Sequence, residues 1–286
     1  MSAGRDGNRN RNRYDRAAAG PRRRLLGGLA LLPVAGLAGC LRPPKRPVEP
    51  AIRHIRLEGR AGQPGRGTLV LMLPGIASPP EEFVEAGFPA ALAARAPGAE
   101  ARLLDSHYAY YEDRSILARL LAEQVLPARS QGFERIWLVG ISLGGLGSLG
   151  LLADTEAGAA GEAGRLAGVL ALAPYLGTAG LAREIAAAGG PVAWAATPAS
   201  TQPETGQLRP PLERRIWRHL ATRPGGAPVH LGYGAGDRFA HSHRLLAPLL
   251  PADHVATRPG GHDWPVWRAL WDDWLARHGQ LLLGAA

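Results

Sequence analysis

The sequence predicts an α/β fold, a mostly parallel central sheet flanked by helices, with a helical, Pro- and Gly-rich insertion at about residues 177–226. Three observations carry this. The 286 residues are enough for one sizeable domain with a single core. Short apolar or alternating runs are separated by stretches of helical character, and that alternation favours parallel strands joined by crossover helices. Thr68–Leu73 is almost continuously apolar, as expected of a strand covered on both faces.

Taken in order, the chain begins with a leader. Residues 1–39 hold eight Arg against two acids, so they account for +6 of the formal +9 and leave +3 for the remainder. Without them there is no large basic excess to attract phosphates, which argues against a nucleic-acid partner. A basic stretch ends at Arg22–Arg24, and Leu25–Gly39 is apolar and uncharged. That segment is too short for a permanent membrane span and long enough for the apolar part of an export signal. It closes on Leu37-Ala38-Gly39-Cys40, which resembles the lipobox of bacterial lipoproteins. The resemblance implies cleavage before Cys40, lipidation of its thiol and a membrane as partner. Leu41 in place of Asp after that Cys favours an outer-membrane position facing the periplasm if the source is Gram-negative. Pro21–Leu26 also looks like a twin-arginine signal, so both export routes stay open. Cys40 is the one cysteine, and no intramolecular disulfide can form.

Residues 40–50, with four Pro, read as the lipidated Cys and an extended tether; 51–286 read as the globular domain. Strands are expected at 52–57 (a half-exposed edge), 68–73, 101–104, 135–139, 167–172, 229–233 and 254–257. Helices are expected at about 80–95, 113–128, 144–154, 240–249 and 264–278. The segment 177–226 interrupts the alternation with helices at 179–188 and about 211–222 around a Gly/Pro/Thr-rich stretch, 189–207. It is far longer than an ordinary β-to-α connection of two to six residues. A working lid and a helix with a surface loop both fit it.

The strongest local signal is Gly140-Ile141-Ser142-Leu143-Gly144, which follows an apolar strand and opens a helix. A nucleophilic Ser needs a sharp, strained strand-to-helix turn, and Gly140 and Gly144 remove side chains where strand and helix cross closely. The helix N-terminus beside it brings N–H groups and partial positive charge to a reacting oxygen. A serine hydroxyl also needs a base, and the base an orienting acid. Val229–Asp237 is a strand running into a Gly-rich turn that ends in Asp237. Strand 254–257 runs into Arg258-Pro259-Gly260-Gly261-His262. Both side chains would then lie at the C-terminal strand edge, where open α/β sheets bind ligands. His241, His243 and His254 compete with His262, and Asp263 with Asp237. Two of those His open a helix and one opens a strand, while adjacent residues such as His262 and Asp263 seldom face each other. His241-x-His243 lacks further ligands at metal spacing, so no metal is expected.

From about residue 52 to 278 these features resemble the α/β-hydrolase superfamily. The Gly-Gly-His-Asp-Trp segment with Trp267 is similar to the ends of esterase-D-like enzymes. The resemblance implies a catalytic triad of Ser142, His262 and Asp237 acting on esters without a cofactor. It also implies an oxyanion hole from the backbone N–H groups of Leu143 and Ile76. Many members carry His-Gly where this chain has Pro74-Gly75, so no His side chain can act there. The substrate expected is a small-molecule or lipid ester. Acyl transfer to an envelope acceptor is a second reading, and a non-catalytic envelope-binding lipoprotein on the same fold a third.

Trp264, Trp267, Trp271 and Trp274 recur at helical spacing and read as a stripe facing the core. Tyr108, Tyr110 and Tyr111 would either line a pocket or anchor a loop. Trp194 reads as an exposed contact for lipid or substrate.

Overall fold

The computed structural model of the protein describes residues 46–198, 211–223 and 225–283. The leader, Cys40 and residues 41–45 of the tether lie outside the described residues, as do 199–207 of the Gly/Pro/Thr-rich stretch. The strands are β1 His54–Leu57, β2 Thr68–Leu73, β3 Glu100–Leu104, β4 Arg135–Ile141, β5 Gly168–Leu172, β6 Val229–Gly234 and β7 Val255–Arg258. They form one sheet in the order β1-β3-β2-β4-β5-β6-β7. Only the edge strand β1 runs antiparallel, pairing Ile55 with Leu103; every other pairing is parallel. Each expected strand is present, with ends shifted by at most two residues.

Helices fill the connections: α1 Glu81–Glu85, α2 Phe88–Arg95, α3 Tyr108–Glu112, α4 Ile116–Arg119, α5 Leu126–Ser130, α6 Leu143–Glu156 and α7 Gly161–Gly164, then α8 Ala179–Ala187, α9 Pro191–Ala196, α10 Leu212–Thr222, α11 Ala240–Leu246 and α12 Trp264–His278. Alternation along the strands sends side chains to two cores. Leu69, Leu71 and Leu138 meet α3–α6 and α8–α11. Val70, Met72 and Val139 meet α1, α2 and α12. The tryptophan stripe is a core stripe: Trp267, Trp271 and Trp274 are buried, and Trp264 is half-buried.

Local chemistry accounts for the departures. The helix expected over 80–95 breaks at Gly87, whose φ of 75° ends α1 before α2 begins. The helix expected over 113–128 runs from α4 through a π-helical stretch, Leu120–Val125, into α5. Pro127, in the first turn of α5, has no N–H to give to the preceding turn. Residues 191–196, expected as part of an irregular stretch, form α9, which Pro191 opens in the position where a missing N–H costs nothing.

The insertion is built around Trp194, and the expectation that this side chain is exposed is wrong. Trp194 is 3 % exposed. Its Nε1–H donates to Glu184 at 2.8 Å, and Arg214 reaches the same carboxylate at 2.8 and 2.6 Å. The Arg218 guanidinium lies 4.7 Å above the indole. An amphipathic α10 then buries Ile216, Trp217 and Leu220 in the core. Sequence places Trp194 in a Gly-, Pro- and Ala-rich neighbourhood with no large apolar side chain but Val192; the return of α10 covers it.

Burial and hydrogen bonding predict unequal costs for two insertion-free and insertion-borne apolar side chains. Trp271, fully buried with Nε1–H donating to Phe88 O at 3.0 Å, should lose about 3–5 kcal/mol on truncation to Ala. Val192, 59 % exposed, should lose less than about 0.5 kcal/mol. Urea denaturation of both variants checks the contrast.

Candidate active site

Ser142 stands between the end of β4 and the first residue of α6 with φ 53° and ψ −112°. A non-glycine residue held there costs of order 1–3 kcal/mol, which the surroundings must offset. Four hydrogen bonds do so. Its N–H donates to Leu172 O at 2.9 Å, and its C=O accepts from Gly145, Leu146 and Tyr175 at 3.0, 3.2 and 2.9 Å. The flanking glycines answer a close crossing. A Cβ at Gly140 would run into Gly144 O and Ser148 Oγ, and one at Gly144 into the Leu73 and Pro74 carbonyls. Ser142 therefore sits where α6 passes over the ends of both β2 and β4.

Asp237 and His262 come from neighbouring loops that are tied together by backbone bonds. Ala235 N–H donates to Arg258 O at 2.8 Å and Gly236 N–H to Gly260 O at 2.9 Å. A side chain at Gly234 would strike the Gly260 and Gly261 carbonyls. Across this seam His262 Nδ1 lies 2.7 Å from Asp237 Oδ2. The second oxygen, Oδ1, accepts the Phe239 N–H at 2.7 Å. Burial pushes the Asp237 carboxyl up, but the hydrogen bonds from His262 and Phe239 outweigh it and hold the group below the usual carboxylate range. An ionised carboxylate can only accept, so Nδ1 carries the imidazole proton and Nε2 is left as a base. Ser142 Oγ and His262 Nε2 form no hydrogen bond here. Such bonds are often long before substrate binds.

Three of the four competing residues, Asp263, His254 and His243, have other occupations. Asp263 caps α12 by accepting the Val266 N–H at 3.1 Å. His254 Nδ1 faces Val229 O at 3.1 Å, its ring stacked on His230. His243 is buried with Nε2 against Pro174 O at 2.9 Å. Among the described residues no three His, Cys, Asp or Glu side chains are grouped to hold a metal ion. None of their helices is long and apolar enough to cross a membrane.

A cavity of about 750 Å³ opens beside Ser142, Leu143 and Ile76. Leu143 is the first residue of α6, and its N–H has no partner within the helix. Ile76 is 36 % exposed on the loop after β2. The walls are Tyr108, Tyr111, Leu146, Tyr175, Leu212 and Phe239. Of the tyrosines left between two roles, Tyr108 and Tyr111 line the cavity and Tyr110 is a buried anchor. The end of β3 is pinned beside them, Arg46 gripping Asp105 at 2.8 and 2.6 Å with Arg53 on the same carboxylate at 2.6 Å.

No protein-family model and no curated protein sequence matches the chain. Solved structures do. Thermogutta terrifontis esterase 2 phosphonylated by cyclosarin superposes with a TM-score of 0.55 at 14 % identity, over 84 % of this chain and 94 % of that one. Its apo form gives 0.53 at 13 %, over 84 % and 98 %. S-formylglutathione hydrolase (FrmB) from Staphylococcus aureus gives 0.47 at 11 %, over 82 % and 98 %. The chain has the α/β-hydrolase fold. In that fold the three side chains expected to act together leave the C-terminal ends of β4, β6 and β7.

Two residues of the site were not anticipated. Tyr175 and Phe239 meet edge to face at 5.4 Å, and Phe239 meets the His262 ring at 5.2 Å. Both lie just past the ends of strands, β5 and β6, and that position was the available signal. Trp267, from the core stripe, meets the His262 ring edge to face at 5.0 Å.

Two buried histidines set an acid limit on stability. Burial, with His254 and His278 nearby, pushes His230 down to about 3. Burial likewise pushes His243 down to about 4. Unfolded, each takes its proton near 6.5. Between pH 6.5 and about 4 the unfolded chain therefore binds more protons, and stability falls as pH falls. Urea denaturation at pH 7 and pH 4.5 should give unfolding free energies that differ by roughly 2–5 kcal/mol, lower in acid. Equal values would contradict the burial of uncharged imidazoles.

Proposed function

We propose that the chain is an exported serine hydrolase that cleaves carboxylic esters and is held to a membrane through lipid on Cys40. The observation that carries the catalytic half is the 2.7 Å His262–Asp237 pair, set in neighbouring loops, of which the Asp237 loop lines the Ser142 cavity through Arg238 and Phe239. Ser142 Oγ attacks the ester carbonyl carbon while His262 Nε2 takes its proton. Asp237 holds the imidazole in the right tautomer and stabilises the imidazolium. The N–H groups of Leu143 and Ile76 receive the oxyanion of the tetrahedral intermediate. Collapse breaks the ester C–O bond, His262 returns the proton to the departing alcohol, and an acyl-Ser142 remains. Water, deprotonated by His262, then releases the acid and restores Ser142. The chemistry uses no cofactor. The aromatic and aliphatic part of the cavity suits an apolar acyl or alcohol group, while Glu112, Arg114, Glu213, Arg215 and Arg238 add charge to its lining. Thermogutta terrifontis esterase 2, similar in fold, is an esterase, and that analogy is at the level of fold.

The envelope half rests on the leader and the Leu37–Cys40 motif. One acyl chain gives marginal, reversible membrane binding, whereas two give stable attachment. A Gram-negative source would place the domain in the periplasm at the outer membrane.

Ser142→Ala should abolish both labelling by a fluorophosphonate probe and hydrolysis of p-nitrophenyl esters; activity surviving in that variant would remove Ser142 from its role. Asp237→Asn should lower kcat by roughly 10³- to 10⁴-fold at neutral pH, through loss of the correct imidazole tautomer. Cys40→Ser, expressed in the native host, should move the protein from the membrane fraction to the soluble one. Retention of that variant in membranes would count against lipidation.

A further inference from the structure

His243 takes no part in the proton transfers above, yet it is completely buried at the back of the site. It stands on α11, the helix that follows the acid loop, and its own N–H reaches back to Phe239 O at 3.3 Å. Its side chain crosses to the other half of the site, with Nε2 2.9 Å from Pro174 O. A carbonyl only accepts, so Nε2 carries the proton and donates. Burial keeps the ring uncharged at neutral pH. Asp237, His262 and His241 are within electrostatic reach of it, and Tyr233 packs at 5.0 Å.

Pro174 belongs to the turn that closes on the nucleophile. Ala173, at φ 46°, is, like Ser142, a non-glycine residue at positive φ, its N–H tied to Gly232 O at 2.7 Å. Pro174 packs on α6 so closely that a Cβ at Gly145 would meet its ring at 2.7 Å. Tyr175 then donates its N–H to Ser142 O at 2.9 Å and sets its ring against Phe239. The contacts run in a chain from the Asp237 loop to the Ser142 turn: Asp237 to Phe239, Phe239 to His243, His243 to Pro174, and, from the next residue, Tyr175 to Ser142. The His243–Pro174 hydrogen bond and the Tyr175–Phe239 ring contact are the side-chain links across it, and the first is the hydrogen-bonded one.

We infer that His243 is a positioning residue whose buried hydrogen bond to the Pro174 carbonyl holds the Ser142 turn in register with the Asp237–His262 pair. The inference rests on the serine-hydrolase reading. A misplacement of the order of 1 Å costs a reaction about 100-fold while leaving substrate contacts largely intact. His243→Leu removes the donor, and His243→Gln places an amide N–H near the position of Nε2.

The test compares the two variants with wild type on a p-nitrophenyl ester and in the rate of fluorophosphonate labelling, with melting temperatures measured in parallel. His243→Leu should lower kcat and the labelling rate by at least about 10-fold with KM within about 2-fold, while His243→Gln recovers to within about 3-fold of wild type. If His243→Leu fails to fold, His243→Asn, too short to reach Pro174, takes its place against His243→Gln. Wild-type kcat in a folded Leu or Asn variant would overturn the inference, as would a folded Gln variant as slow as the others. A wild-type protein that reacts with no phosphonate at all would instead overturn the hydrolase reading on which the inference stands.

Discussion

The passage of α6 over the ends of β2 and β4 is the contact on which the rest of the site depends. Gly140, Gly144 and Leu73 meet there with no room for a Cβ. The crossing obliges the chain to turn from strand to helix within one residue, and that residue, Ser142, takes a positive φ. The cost is met by bonds from β5 and from the Ala173–Tyr175 turn, so the strain at Ser142 is supported by a different part of the sheet. The same geometry leaves the Leu143 N–H free at the positive end of a fourteen-residue helix. Close packing, backbone strain and an unpaired helix N–H thus have one structural origin.

Around that crossing the molecule has two unlike flanks. The face bearing α1, α2 and α12 is an aromatic stack: Phe88 lies parallel to Trp271 at 5.7 Å, and Trp271 to Trp274 at 5.4 Å. Its side chains cover the sheet, although Trp267 at its end also touches His262. The other face carries the insertion, where ion pairs and cation–π contacts around Trp194 hold α8–α10 together. Leu212, at the start of α10, walls the cavity from that side. The cavity is therefore shaped by the part of the chain that departs most from a plain β/α alternation, which is where selectivity on a widely shared fold would be expected to reside.

Charge is distributed by the same logic. The basic excess belongs mainly to the first 39 residues. Near the site the buried carboxylates are each held by donors: Asp237 by His262 and Phe239, Asp105 by two guanidiniums. The Asp105 pairs are only half-buried, because the Arg46 and Arg53 guanidiniums reach solvent. Asp105 fixes the incoming segment Arg46–Arg53 beside the α3 wall, and Asp237 fixes the tautomer of the proposed base.

What the sequence determined by itself was everything set by short-range pattern. Thr68–Leu73 is a strand because a run covered on both faces must be apolar; Trp264–His278 is a helix because its large side chains recur with helical spacing. The Gly-x-Ser-x-Gly turn, and the placing of Asp237 and His262 after later strands, were legible because each depends on a few adjacent residues. Tertiary structure alone decided the rest. Trp194 is buried because α10, some twenty residues further on, returns over it. Asp263 is a helix cap and Asp237 the partner of His262 because the β6 and β7 loops are bonded edge to edge. Tyr175, Phe239 and His243 gained their places from contacts across the sheet edge, which no local spacing encodes, since side chains that meet there come from strands far apart in the chain.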